Sequence, residues 1–393
     1  MEYFDIVVIG GGIHGAGMAQ AAAASGYSVC VLEQAGQLAQ GTSSRSSKLI
    51  HGGLRYLETG QLSLVRECLR ERAILLRIAP DLVKLQPFHI PVYQHSRRRP
   101  WQLNIGLSLY ALLSGAGKAG RFRRLSRSRW ANLDGLDTHG LQAVYRYHDA
   151  QTDDALLTRA VMSSAVTLGA ELRLSTQVSN IRLGRPNHID FRHHGSAGEC
   201  QAGLIVNAAG PWVNQVLDQV QPPVPQRAIE CVQGTHIEID GHLHQGFYYL
   251  ESPRDQRAVF VMPWKGHILV GTTETRYHGD PALVQPLAAE QDYLLETLGH
   301  YFPAYNQFER QDIRNSFAGL RVLPAGIGNA SSRPRETLLL SDQASQPHLV
   351  TVYGGKLTAY RSTAERLIQL IARYLPARKP KADTCQVLLQ IPE

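Results

Sequence analysis

Residues 5–17 read Asp5-Ile6-Val7-Val8-Ile9-Gly10-Gly11-Gly12-Ile13-His14-Gly15-Ala16-Gly17. The β-branched run before Gly10 predicts a fully buried strand, and alanine-rich residues 16–25 predict a helix. A second strand is expected over 27–32, ending at Glu33, 18 residues beyond Gly15. Strand, G-x-G-x-x-G, helix, strand and acid in this order form a dinucleotide-binding unit. Gly10 permits the tight turn, Gly12 lets backbone approach a pyrophosphate, and Gly15 lets helix and strand pack closely. The helix start offers free N–H groups to phosphate, and Glu33 can accept hydrogen bonds from a ribose. His14 reads as a helix-terminus residue rather than a catalyst.

The rest of the chain suits such a unit. At 393 residues it has room for two to three domains. With 44% hydrophobic and 19% charged residues it can bury a core, which excludes a disordered chain. A net charge of +7 favours an anionic substrate, cofactor or surface. No motif supports nucleic-acid binding. The five cysteines are widely spaced with no C-x-x-C, so neither a disulfide framework nor a zinc site is expected. No signal peptide or spanning helix is expected, and the chain reads as reduced and cytoplasmic. No stretch speaks to oligomeric state.

Residues 42–56 form a polar loop, Thr-Ser-Ser-Arg-Ser-Ser-Lys-Leu-Ile-His-Gly-Gly-Leu-Arg-Tyr, whose hydroxyls and glycines can face a ligand. With the next two residues it is TSSRSSKLIHGGLRYLE, which resembles the distinguishing segment of FAD-dependent glycerol-3-phosphate dehydrogenases, within the D-amino-acid-oxidase-like flavoproteins. Further segments match that family in order: 147–149 with 153–155, 206–212 (Val-Asn-Ala-Ala-Gly-Pro-Trp), 270–274 (Val-Gly-Thr-Thr-Glu), 318–321 (Ala-Gly-Leu-Arg), Arg335-Glu336, and 353–361 (Tyr-Gly-Gly-Lys-Leu-Thr-Ala-Tyr-Arg). One departure is the absence of the extra C-terminal helical domain that many members carry.

The resemblance implies an α/β fold: an FAD-binding Rossmann-like domain and a second, mainly antiparallel-sheet substrate domain, as in glutathione-reductase-like and D-amino-acid-oxidase-like proteins. The expected division is a discontinuous FAD-binding part, 1–85, 150–215 and 330–393, and a substrate part, 86–149 and 216–329. Pro222-Pro223-Val224-Pro225 reads as a crossover linker.

The implied chemistry is oxidation of sn-glycerol 3-phosphate to dihydroxyacetone phosphate, by hydride transfer to flavin N5, with electrons passed to quinone. His51 is the expected base, an imidazole being the side chain that titrates nearest neutrality. The bland alternative is a loop histidine that only shapes the pocket. Arg321 is expected beside the substrate hydroxyl, with Arg55, Tyr56, Thr273, Arg335 and Lys356 as substrate groups. Guanidinium forks suit a phosphate dianion. FAD contacts are expected from Gly10, Gly12, Gly15, Glu33, Thr42, Ser43, Ser47, Leu49, Val178, Ala209, Gly210, Gly355, Lys356, Leu357 and Thr358. Asp149, Asp153 and Asp154 read as containing a helix cap rather than a metal cluster. No metal is expected.

Residues 97–130 form a distinct feature. Arg97-Arg98-Arg99-Pro100 precedes an apolar stretch, 101–113, and Lys118, Arg121, Arg123, Arg124, Arg127, Arg129 and Trp130 follow. This is too short to span a bilayer but suits the surface of an anionic leaflet. A helix packed on the substrate domain is the alternative. The expected location is therefore peripheral, on the inner face of the cytoplasmic membrane. Three rivals stand beside the leading reading: a 2-hydroxy acid or amino-acid oxidase or dehydrogenase, a glycerol-3-phosphate oxidase using oxygen, and a flavin-loaded binding subunit without turnover.

Overall fold

Five consecutive buried residues, Asp5 to Ile9, end the first strand, Glu2–Ile9. A run that is apolar on both faces belongs inside a parallel sheet, and there the computed structural model puts it. The structure describes residues 1–57, 60–115, 117–325 and 337–392. Glu2–Ile9 lies between Val29–Leu32 and Ser196–Asn207, parallel to both. Ala170–Arg173 extends the sheet beyond Val29–Leu32, and Leu349–Tyr353 extends it beyond the C-terminal half of Ser196–Asn207. The helices Ile13–Ala24, Asp154–Thr167 and Tyr360–Ile371 pack together on one face of this sheet. An antiparallel pair, Thr176–Arg182 and Asn187–His193, joins the N-terminal half of Ser196–Asn207.

A second sheet of ten strands among the described residues runs through Ile229–Ile239, His267–Gly271, Ala258–Trp264, Phe247–Glu251, Val83–Tyr93 and Leu141–Thr152. Its pairings are antiparallel except that of Phe247–Glu251 with Val83–Tyr93. The proline-rich stretch after Val220–Gln221 carries the chain from the first sheet to the second. Two pieces of segment 1–85 pair with the second sheet. Leu49–Ile50 adds to the edge of Leu141–Thr152, and Val83–Tyr93 starts before residue 86. Through Leu49–Ile50 the loop 42–57 is anchored to the second sheet.

The apolar stretch is the helix Pro100–Ser114, with proline at its start. Leu103, Leu107 and Tyr110 are buried beneath it, whereas Trp101, Ile105 and Leu112 are 63%, 61% and 77% exposed. Trp130 departs from the expectation of an outward flank: it packs against the core of the second sheet, with its Nε1 buried.

Candidate functional site

The strand Glu2–Ile9 delivers Gly10 into a turn with φ +106°. A Cβ on Gly15 would lie 1.9 Å from the Gly10 carbonyl oxygen, and one on Gly10 would lie 2.7 Å from that of Ala208. These glycines therefore leave no room between helix, turn and the strand Ser196–Asn207. Gly12 caps the helix Ile13–Ala24 with no side chain of its own, and the Ser43 hydroxyl accepts the Ile13 N–H at 2.9 Å. The Glu33 carboxylate, at the end of the second strand, accepts the N–H groups of Gly11 and Ala35, at 2.5 and 2.8 Å.

From this cradle a cavity of about 640 Å³ extends to the second sheet. Its walls include Gly10, Gly12, Glu33, Thr42, Ser43, Ser47 and Leu49 from the first part of the chain. Val178, Ala209, Gly210, Gly355, Leu357 and Thr358 line it from the first sheet and its loops. A bulge follows Val178. Gly15 lies outside the lining and serves packing. Thr42 donates to the Leu320 carbonyl at 2.7 Å, tying the loop to the strand that carries Arg321.

His51, Arg55, Tyr56, Thr273, Arg321 and Lys356 also line this cavity. His51 is held through its backbone N–H, which donates to Thr358 Oγ1 at 3.1 Å. Next to it, Gly52 donates to Tyr110 Oη at 2.9 Å, and Tyr110 donates to the buried Asp149 carboxylate. Arg55 and Tyr56 sit on the turn Leu54–Leu57. Lys356 Nζ is buried without a hydrogen-bond partner among the described residues, 3.7 Å from the Tyr56 ring centroid. Arg321 donates through Nη2 to Thr272 Oγ1 and to the Thr273 carbonyl, both at 3.2 Å. Gly234 makes space for it, since a Cβ there would lie 2.5 Å from Nη2. The Thr273 hydroxyl is engaged inside the protein, donating to Glu290 and accepting the Thr235 N–H. Arg335 falls outside the described residues.

The three aspartates have separate partners. Asp153 caps the helix, accepting from Ala155 and Leu156. Asp154 is paired with Lys48 at 2.7 Å, and Asp149 with Arg72. Sequence reasoning missed His236, whose ring Nε2 lies 2.9 Å from Ser47 Oγ while its face stacks on Phe317. Burial, then the charges of Lys48 and Arg321, hold its pKa well below the usual histidine value, so it is neutral. A single histidine in a strand carries no pattern that would have marked it.

A dinucleotide cofactor fits these residues. The glycine turn, the helix start free of a side-chain cap of its own and the Glu33 acid form the nucleotide end. At the other end Lys356 Nζ is buried with no hydrogen-bond acceptor among the described residues. Both His14 ring nitrogens are likewise buried with no partner among the described residues, against Gly355. Burial and the positive Arg366 lower the His14 pKa to about 4, so the imidazole adds no charge beside this cradle at neutral pH.

Comparison with known proteins agrees with this geometry. The family model for FAD dependent oxidoreductases, DAO, matches residues 5–361. The chain is 36% identical to D-erythritol 1-phosphate dehydrogenase of Brucella abortus, covering 95% of this chain and 75% of that one. It is 36% identical to the aerobic glycerol-3-phosphate dehydrogenase of Escherichia coli, with 95% and 74% covered. The solved glycerol-3-phosphate dehydrogenase of Bacillus halodurans, complexed with FAD, superposes with a TM-score of 0.77 at 26% identity, covering 99% and 68%. A glycine cradle built for a dinucleotide and a family match over nearly the whole chain lead to one conclusion: this protein is an FAD-dependent oxidoreductase of the DAO family.

Proposed function

We propose that the protein oxidises the secondary alcohol of sn-glycerol 3-phosphate to dihydroxyacetone phosphate. The observation that carries this reading is that His51, Arg55, Arg321 and Lys356, from three distant segments, all line one cavity. An alcohol oxidation needs a base, and a phosphorylated substrate needs fixed cations. His51 takes the hydroxyl proton. Arg321 stabilises the oxygen as it becomes an alkoxide. Arg55 and Lys356 hold the phosphate, and Tyr56 orients Lys356 through its ring face. FAD, when bound, supplies the two-electron acceptor. Gly10, Gly12, Glu33, Gly355 and Thr358 are the residues that would hold it. In this reading 1–85, 150–215 and 330–393 form the FAD-binding part, from which His51, Arg55, Tyr56 and Lys356 reach the substrate. Segments 86–149 and 216–329 form the substrate part. The two sheets support this division except at Leu49–Ile50 and the start of Val83–Tyr93, which pair with the second sheet.

Electrons pass on to quinone at the inner face of the cytoplasmic membrane, where the exposed side of Pro100–Ser114 and the arginines that follow rest on anionic lipid. Three exposed apolar side chains on one helix, with basic residues on both flanks, support that docking. No helix among the described residues is long and apolar enough to cross a membrane.

The test is anaerobic. The purified flavoprotein is mixed with sn-glycerol 3-phosphate, D-erythritol 1-phosphate, a 2-hydroxy acid and an amino acid in turn. Rapid bleaching of the oxidised flavin band by sn-glycerol 3-phosphate is the expected result. Faster bleaching by D-erythritol 1-phosphate, which the likeness to the Brucella enzyme favours, would keep the clamp and change the polyol. Bleaching only by a hydroxy acid or an amino acid overturns the phosphate reading.

A further inference from the structure

Behind the wall that carries Arg321 lies a buried carboxylate for which the proposed chemistry has no use. Glu290, in the first turn of the helix Ala288–Tyr301, is 5% exposed. Among the described residues no lysine or arginine pairs with it; five donors do. Gln233 Nε2 and Thr235 Oγ1 each reach Oε2 at 2.6 Å, and the Leu287 N–H reaches it at 3.2 Å. Thr273 Oγ1 and Thr275 Oγ1 reach Oε1 at 2.8 and 2.7 Å. Burial alone would raise this carboxyl's pKa. The bonds from Thr235, Thr275 and Thr273 and from the Leu287 backbone outweigh it and lower the pKa, so Glu290 is ionised.

Thr273 joins this network to the site. Its hydroxyl is fixed on both sides, by Glu290 and by the Thr235 N–H at 2.8 Å, so its carbonyl has one direction. That carbonyl and the neighbouring Thr272 hydroxyl receive Arg321 Nη2. We propose that Glu290 is a positioning residue: its carboxylate locks the Thr272–Thr273 corner, and the corner sets the guanidinium of Arg321 toward the substrate oxygen. The proposal rests on the reading of Arg321 as the group beside that oxygen. The chemistry explains why a carboxylate is needed. All five neighbours are donors in this arrangement, and the two N–H groups on the Oε2 side cannot reverse. A glutamine must keep its oxygen there and turn its NH₂ toward Thr273 and Thr275, whose hydroxyls would then have to accept and lose Glu290 as the acceptor of their own hydrogens.

The experiment is a double-mutant cycle on the FAD-loaded enzyme with Glu290→Gln and Arg321→Ala, reading the anaerobic bleaching rate constant and FAD content. With Arg321 present, Glu290→Gln is expected to slow bleaching about 10- to 100-fold at unchanged FAD content, because one preorganised donor is misaligned. In the Arg321→Ala background it should cost less than about twofold. Equal factors in both backgrounds, or no loss, overturn the proposal, since a merely structural residue acts independently of Arg321. If Glu290→Gln does not load FAD, Thr273→Val cuts the same link nearer the site and carries the cycle. A crystal structure of the variant gives a readout that needs no substrate. Arg321 Nη2 should leave Thr272 and Thr273, and an unmoved guanidinium overturns the proposal. Wild-type enzyme that fails to bleach with any phosphorylated polyol defeats the substrate reading alone.

Discussion

His89 stands opposite Arg146 across the strands Val83–Tyr93 and Leu141–Thr152, and it is 1% exposed. Burial, then the charge of Arg146, lowers its pKa from 6.5 to about 4, against a raising hydrogen bond that its ring donates to the Phe247 backbone. The unfolded chain therefore binds this proton more readily than the native state does. Stability is intact above about pH 6.5 and falls as pH drops from there toward 4, by up to about 3 kcal/mol. His14 has the same sign and window. Ionised carboxylates with lowered values, Asp5, Asp153, Asp190, Asp255 and Glu290 among them, act in a lower window, as pH falls below the ordinary carboxylate range. His89→Leu keeps the site apolar and removes the group that titrates. The drop in melting temperature between pH 7.5 and 5.5 should be smaller in this variant than in wild type. Equal drops would mean that native His89 binds its proton as readily as it does in the unfolded chain.

At the scale of elements, the helix Pro100–Ser114 divides its apolar residues between two faces. Leu103, Leu107 and Tyr110 cover the second sheet, and Tyr110 continues to the backbone beside His51. Trp101, Ile105 and Leu112 fall within about 40° of one another around the helix axis, because each residue turns about 100°. Replacing these three with serine should abolish flotation with phosphatidylglycerol vesicles at low salt. The bleaching rate should hold, since the catalytic wall is reached only through the opposite face. Retained flotation would assign the membrane contact elsewhere. This element was legible in part. A run of about four helical turns with proline before it gives the helix, but which side packs depends on strands far away in sequence. Trp130 shows the limit, reading as a basic flank and lying on the core. The glycine turn was legible in full, because turn, helix start and acid are local requirements of one ligand. His236 and Glu290 were not. Each acts through residues at least 15 positions away, at Ser47 and Thr275 respectively, and neither repeats with any period.

At the scale of the whole molecule, the site exists because the loop 42–57 leaves the parallel sheet, touches the second sheet at Leu49–Ile50 and returns over the cavity. The family segments named the residues of this loop, and its anchors appear only in three dimensions. Lys48 is the main anchor. It is 5% exposed with φ +61°, and its Nζ donates to the Ser44 carbonyl at 2.5 Å and to Asp154 Oδ1 at 2.7 Å. The other Asp154 oxygen accepts the Ser46 N–H at 2.9 Å. One fully buried carboxylate thus holds Ser46 and Lys48 to the helix Asp154–Thr167, and Ser44 through Lys48. Asp154→Asn would leave the ammonium of Lys48 buried without its counter-charge, a loss of about 3–5 kcal/mol. The melting temperature of the FAD-free protein should fall by roughly 4–6 °C, at about 1.2 °C per kcal/mol for a chain of this size. Added FAD binds only the native cavity, so a large excess should recover part of the loss. The double variant Lys48→Met, Asp154→Leu removes both charges and should melt above Asp154→Asn, because it strands neither. If single and double variants melt together, the pair is not what fastens the loop, and the pairing at Leu49–Ile50 must hold it over the cavity alone.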